Sequence, residues 1–244
     1  MTEVKKSGSS RTVRSASPED MEKINRLALV ELAAEDVFTF DVIACDNQVD
    51  RDGERFSDGA LDKLARLFIG KTVIFDHQWS AGNQTARIYD ATVTEKASGL
   101  RQLRVSVYML ANDSTAALRE AICGGILREV SVGCAVSKLT CSVCGTDYCT
   151  CGHRKGDSYD GVLCVVVLDE PTDAYELSFV AVPAQRGAGV TKAAGVTMCK
   201  SDDEGGASGT APPTQDDGAD EQERVKQLAQ AKARVDLMDK ITKI

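Results

Sequence analysis

A chain of 244 residues with 43% apolar side chains can bury a sizeable core, and its formal net charge of −8 is the wrong sign for a nucleic-acid surface, which needs clustered positive charge. The imbalance is local: residues 201–223 hold eight acids and no base, and the remainder is close to neutral. No run of about 18 apolar residues occurs, so no membrane span is expected, and Met1-Thr2-Glu3-Val4-Lys5-Lys6 has no apolar stretch behind it that would read as a secretory signal.

Residues 1–16 are rich in Ser, Lys and Arg and are expected to be disordered. Ser17-Pro18-Glu19-Asp20 is a helix start, with Ser as N-cap, Pro in the first turn and acids beside it. Met21, Ile24, Leu27, Leu29 and Leu32 follow at roughly helical spacing and should pack a short helix onto the main domain. Val37–Ala44 is rich in β-formers and reads as a strand, and Asp46–Gly53 as a polar turn. A helix over 58–68 should end at Gly70. Strands are expected at 72–76, 86–95 and 101–109, then a helix capped by Asn112-Asp113-Ser114-Thr115 and running to Gly124-Gly125. Strand character returns at 128–139, 162–168 and 174–182, with a cysteine-rich insertion at about 140–160. Residues 17–192 would thus form one domain. The Gly, Ser, Pro and acid content of 193–220 reads as a linker. Across 221–244, Val225, Leu228, Ala231, Val235, Met238 and Ile241 mark an amphipathic helix that needs a partner or a second copy of itself.

Only two histidines occur in the chain, and imidazole is the side chain that titrates near neutral pH. His77 follows the apolar run Thr72–Phe75, so it is either a hydrogen-bonded histidine at the core edge or a general base. Ser131 lies in the strand-like Val130-Ser131-Val132-Gly133, where serine is ordinarily just a small residue. Glu176 has apolar neighbours on both sides; facing inward, it would need a basic partner or an imidazole to orient.

The other histidine sits among cysteines. Cys141-Ser142-Val143-Cys144-Gly145 followed by Cys149-Thr150-Cys151-Gly152-His153 offers two thiolates on one tight turn, then a thiolate and an imidazole. That spacing suits tetrahedral zinc, held by Cys141, Cys144, Cys151 and His153, with Cys149 as the substitute for Cys151. With four protein ligands the site would be closed and structural. Cys45, Cys123, Cys134, Cys164 and Cys199 lie mostly in apolar surroundings and read as small buried residues.

The segments Asp76-His77, Ser131-Val132-Gly133 and Glu176-Leu177-Ser178-Phe179-Val180 with Pro183-Ala184, in this order, resemble the caudoviral (HK97-like) prohead maturation proteases, and Val49–Glu54 resembles their Asp-x-x-Gly loop. The likeness spans about residues 36–190. That family is similar to the herpesvirus assemblins, so the resemblance implies an α+β fold: a small, mostly antiparallel β-barrel with surrounding helices. It further implies a serine endopeptidase with Ser131 as nucleophile, His77 as general base and Glu176 as the orienting carboxylate. Ser178 is the competing nucleophile, and Asp173 lies near Glu176 in the chain. The implied substrates are the scaffold, the N-terminal segment of the major capsid protein and the protease itself, inside a procapsid assembling in the bacterial host cytoplasm. A dimer or higher oligomer would form through the barrel or the C-terminal helix. The alternative is a non-enzymatic, zinc-stabilised phage assembly protein that binds scaffold.

Overall fold

The computed structural model describes residues 16–194. The expected N-terminal disorder, most of the acidic linker and the terminal helix lie outside them. The chain runs α1 (Pro18–Asn25), β1 (Val37–Asp46), β2 (Glu54–Phe56), α2 (Asp58–Phe68), β3 (Thr72–Phe75), β4 (Ala86–Glu95) and β5 (Arg101–Leu110). It continues through α3 (Ala116–Cys123), β6 (Val130–Cys141), the short β7 (Ser158–Tyr159) and β8 (Val162–Leu163), β9 (Val166–Phe179) and β10 (Gly189–Ala194).

The helix signals act as their chemistry requires. Ser17 Oγ accepts from Asp20 N–H at 3.1 Å while Asp20 Oδ2 accepts from Ser17 N–H at 2.9 Å, a reciprocal cap on α1. Helix α1 ends at Asn25, and Ile24 packs with Val37, Tyr89 and Tyr108, joined by Met21, Leu27 and Leu32. Leu29, expected on that face, is instead fully exposed, because the helix stops before it. Ser57 caps α2 through Ala60 N–H, and Gly70 (φ +81°) takes the left-handed turn just beyond its end. Ala60, Leu61, Leu64 and Phe68 form one buried stripe on α2, packed onto β4, β5 and β9.

The fold is α+β, with a mostly antiparallel eight-stranded sheet. Its order is β10-β1-β5-β4-β3-β9-β2, and β6 pairs with β9. Strand β9 organises the sheet. It pairs antiparallel with β6 along its whole length, and in parallel with β2 near its start and β3 near its end. The expected barrel is not closed. Past the end strands there is one isolated bridge, Glu129 to Gly189, supported by Val190 N–H on Arg128 O at 2.8 Å. From Val130 onward β6 follows β9 while β10 follows β1, so the two diverge and no ladder forms between them.

Two expected strands, 162–168 and 174–182, prove to be largely one. Asp169-Glu170-Pro171-Thr172-Asp173 has turn chemistry, yet β9 runs through it. A bulge in β9 at Thr172, which is left unpaired between Pro171 opposite Val136 and Asp173 opposite Ala135, together with Glu170 at φ +51°, accommodates the proline without ending the strand. Strand β10 reaches into the expected linker, pairing with β1 up to Ala194.

Candidate functional site

Strand β3 ends at Phe75, and the chain then turns sharply through Asp76 (φ +50°) and His77 (φ +53°), left-handed conformations that non-glycine residues rarely adopt. Hydrogen bonds hold the turn. Asp76 N–H donates to Phe179 O, Gln78 N–H to Phe75 O, and Asn83 Nδ2 to both Phe75 O and Gln78 O, all at 3.0 Å. His77 N–H donates to Ser178 Oγ, also at 3.0 Å. Together these bonds return the His77 ring over the sheet.

There His77 Nδ1 meets Glu176 Oε1 at 2.7 Å. Glu176 is 2% exposed, and Ser178 Oγ donates to its second oxygen at 2.6 Å, so each carboxylate oxygen has a donor. An ionised carboxylate only accepts, which puts the neutral ring's proton on Nδ1 and leaves the Nε2 lone pair free. The Glu176 hydrogen bond raises the His77 pKa above its ordinary value, more than partial burial lowers it.

Register brings the third residue to the same patch. Val130 and Val132 pair with Phe179 and Leu177 on the core side of the β6–β9 ladder. The alternation of a strand therefore puts Ser131 opposite Ser178, and Gly133 opposite Glu176, on the other side. Ser131 on β6 and Glu176 on β9 thus share the face over which the turn after β3 brings His77. Among the described residues, no hydrogen bond joins Ser131 to the His77 ring. Ser131 is half-buried and lines a cavity of about 260 Å³ with Asp50, Asp52 and Glu54 of the Val49–Glu54 loop.

The alternatives in the sequence are placed elsewhere. Ser178 is fully buried and spends its hydroxyl between His77 N–H and Glu176, which makes it a strut for the carboxylate. Asp173 pairs with Lys71 Nζ at 3.0 Å, and that hydrogen bond lowers its pKa.

The cysteine-rich insertion, 142–165, forms a second centre. Cys141 ends β6, and Gly145 (φ +71°) permits the tight turn in which its N–H donates to Cys141 O at 2.9 Å. The donor atoms of Cys141, Cys144, Cys151 and His153 lie within 4.8 Å of one another, a group that can hold a metal ion. Cys141 Sγ stands 3.7 Å from His153 Nδ1, close to the edge of a tetrahedron built on zinc bond lengths of roughly 2.0–2.3 Å. The Thr146 hydroxyl beside Cys144 lowers that thiol's pKa to about 6, favouring the thiolate a metal requires. Cys149 stays outside the group, exposed, with its N–H on Asp147 Oδ1 at 3.0 Å.

Of the other thiols, Cys45 is in the core, Cys134 packs against it and Cys123 is exposed; Cys199 lies outside the described residues. Cys164 departs from its expected apolar setting, because its Sγ lies 3.8 Å from that of Cys141. Among the described residues, no helix is long and apolar enough to cross a membrane. No family model matches the chain, and neither does any curated protein or solved structure.

Proposed function

We propose that this chain is a serine endopeptidase of the prohead-maturation type, with an assemblin-like core. The observation that carries this reading is the 2.7 Å contact between His77 Nδ1 and buried Glu176, with Ser131 on the same face of the neighbouring ladder. In this mechanism Ser131 Oγ attacks the peptide carbonyl carbon and His77 Nε2 takes its proton. Glu176 stabilises the imidazolium, which then protonates the departing amine as the C–N bond breaks. Water, deprotonated by His77, attacks the acyl-enzyme and releases the second product. The substrates, on the resemblance of the motifs, are scaffold, the N-terminal segment of the capsid protein and the enzyme itself.

Cys141, Cys144, Cys151 and His153 hold structural zinc in this reading. The ion supplies a cross-link within the insertion and no chemistry at Ser131, since all four positions are filled by protein groups.

The test is intact mass over time for wild type beside Ser131→Ala, at neutral pH with zinc. Trimming of the wild type while Ser131→Ala stays at full length is the expected result. Equal trimming of both removes Ser131 as nucleophile. No trimming of either, even with scaffold present, leaves the zinc-stabilised assembly protein as the better reading.

A further inference from the structure

Cys164 is not one of the four donors that lie within 4.8 Å of one another, but its sulfur stands beside one of them, Cys141. It is fully buried, yet it belongs to neither apolar cluster among the described residues. Two sulfurs bound to one tetrahedral zinc, each about 2.3 Å from the ion, stand about 3.8 Å apart. Cys164 Sγ is 3.8 Å from Cys141 Sγ, as close as His153 Nδ1 at 3.7 Å.

The backbone holds this thiol in place. Cys164 N–H donates to Asp157 O at 2.8 Å, and its carbonyl accepts from Gly156 N–H at 2.9 Å. The β7–β8 pair stiffens the intervening turn. On the other side Ser142 N–H donates to Val165 O, and Val165 N–H returns to Ser142 Oγ. The two ends of the insertion are therefore zipped together one residue away from both Cys141 and Cys164.

We propose that Cys164 is a fifth donor to this metal site, filling the tetrahedron in place of His153 or Cys151 when either is lost. This inference rests on the structural-metal reading above and gives the insertion a reserve ligand. Cys141, Cys144, Cys151 and His153 all precede the β7–β8 pair, whereas Cys164 follows it and leads directly into β9. Where Cys164 takes the vacated position, a metal bonded to it and to Cys141 would join the end of β6 to the start of β9. Those two strands carry Ser131 and Glu176.

The experiment is Co²⁺ titration of the zinc-free full chain, reading d–d bands for tetrahedral geometry and sulfur-to-cobalt charge transfer for the number of thiolates. X-ray absorption at the zinc edge gives an independent sulfur count. Wild type should bind with three thiolates. His153→Ala should keep tetrahedral metal within about tenfold of wild-type affinity and show four. Cys151→Ser should retain the ion with three thiolates, Cys164 replacing the one removed. Adding Cys164→Ser to either variant should weaken binding by more than about 100-fold. If wild type binds Co²⁺ while His153→Ala and Cys151→Ser both lose it, Cys164 is not a donor and the four-ligand site stands alone. If wild type itself binds no Co²⁺, the metal reading falls and this inference with it.

Discussion

Gly133 lies directly beneath Glu176: a Cβ built on residue 133 would stand 2.2 Å from Glu176 Oε1, the oxygen that meets His77. The glycine is needed for the space it leaves open. Its backbone is not left-handed, and its pairing with Glu176 puts the carboxylate across the ladder in the one spot where no side chain intrudes.

Gly133→Ala should therefore damage activity more than stability. The alanine methyl must push Glu176 off His77, and a displacement of about 1 Å at a catalytic group can cost about 100-fold in rate. Thermal unfolding should change by only about 1 kcal/mol, because the carboxylate end is what moves. Peptidase rate and melting midpoint, measured on the same preparation, check this. A fully active Gly133→Ala would show that the His77–Glu176 contact is not needed.

Ser178→Ala should show the reverse balance. Removing a fully buried hydroxyl leaves His77 N–H without its acceptor and one Glu176 oxygen without its donor, at a cost of roughly 1–3 kcal/mol per orphaned group. Residual self-processing should persist, unlike in Ser131→Ala. Denaturant midpoints and intact mass read the two effects separately.

The pH profile follows from the His77–Glu176 contact. His77 accepts a proton only when neutral, and Glu176 raises its pKa above the ordinary 6.5, so the acid limb of kcat/KM should lie above that value. Glu176→Gln should move the limb toward lower pH and reduce kcat by about 10²–10⁴-fold. The stability linkage has the sign of a raised base. The contact's contribution is complete below the unfolded histidine pKa and is lost as pH rises through the folded one. Denaturant titrations across that window should show the loss in wild type and not in Glu176→Gln.

Chelation should act on the insertion first. If metal joins Cys141, Cys144, Cys151 and His153, removing it should speed amide exchange across 142–165 while β1 and β5, deep in the core, keep their protection. Hydrogen exchange by mass spectrometry with and without chelator distinguishes this from global unfolding.

Core packing gives a prediction independent of any chemistry. Leu64 is fully buried on the apolar stripe of α2, and Leu64→Ala should cost about 2–5 kcal/mol. Denaturant unfolding measures it directly.

Helices were legible where caps and periodicity agree: Ser17 and Ser57 begin α1 and α2, and Gly70 ends the second. Central strands such as Arg101–Leu110 were legible from alternation and β-branching. Pairing was not. Nothing local in Glu54–Phe56 marks it as a strand, because its partner Val166–Leu168 is more than a hundred residues away. Pro171 concealed the continuity of β9, which continues past the proline through a bulge at Thr172 that a local reading takes for a turn. Of the proposed catalytic residues, His77 stands out by scarcity, but its contact with Glu176 depends on a left-handed turn that Asp76-His77 does not advertise. Cys164 was hidden for a similar reason, its neighbour Cys141 lying across a chain reversal.

Strand β9 pairs with segments that begin at residues 54, 72 and 130, and all of them leave the ribosome before it does. Synthesis at roughly 5–20 residues per second leaves a wait of several seconds between the emergence of β2 and the arrival of the strand it requires. Until residue 179 has been made and freed from the exit tunnel, Glu176 has no ladder to sit on and His77 no carboxylate to meet. A translation product truncated before β9 thus has an unfinished sheet and no His77–Glu176 contact, and on the proposed reading a nascent chain is inert.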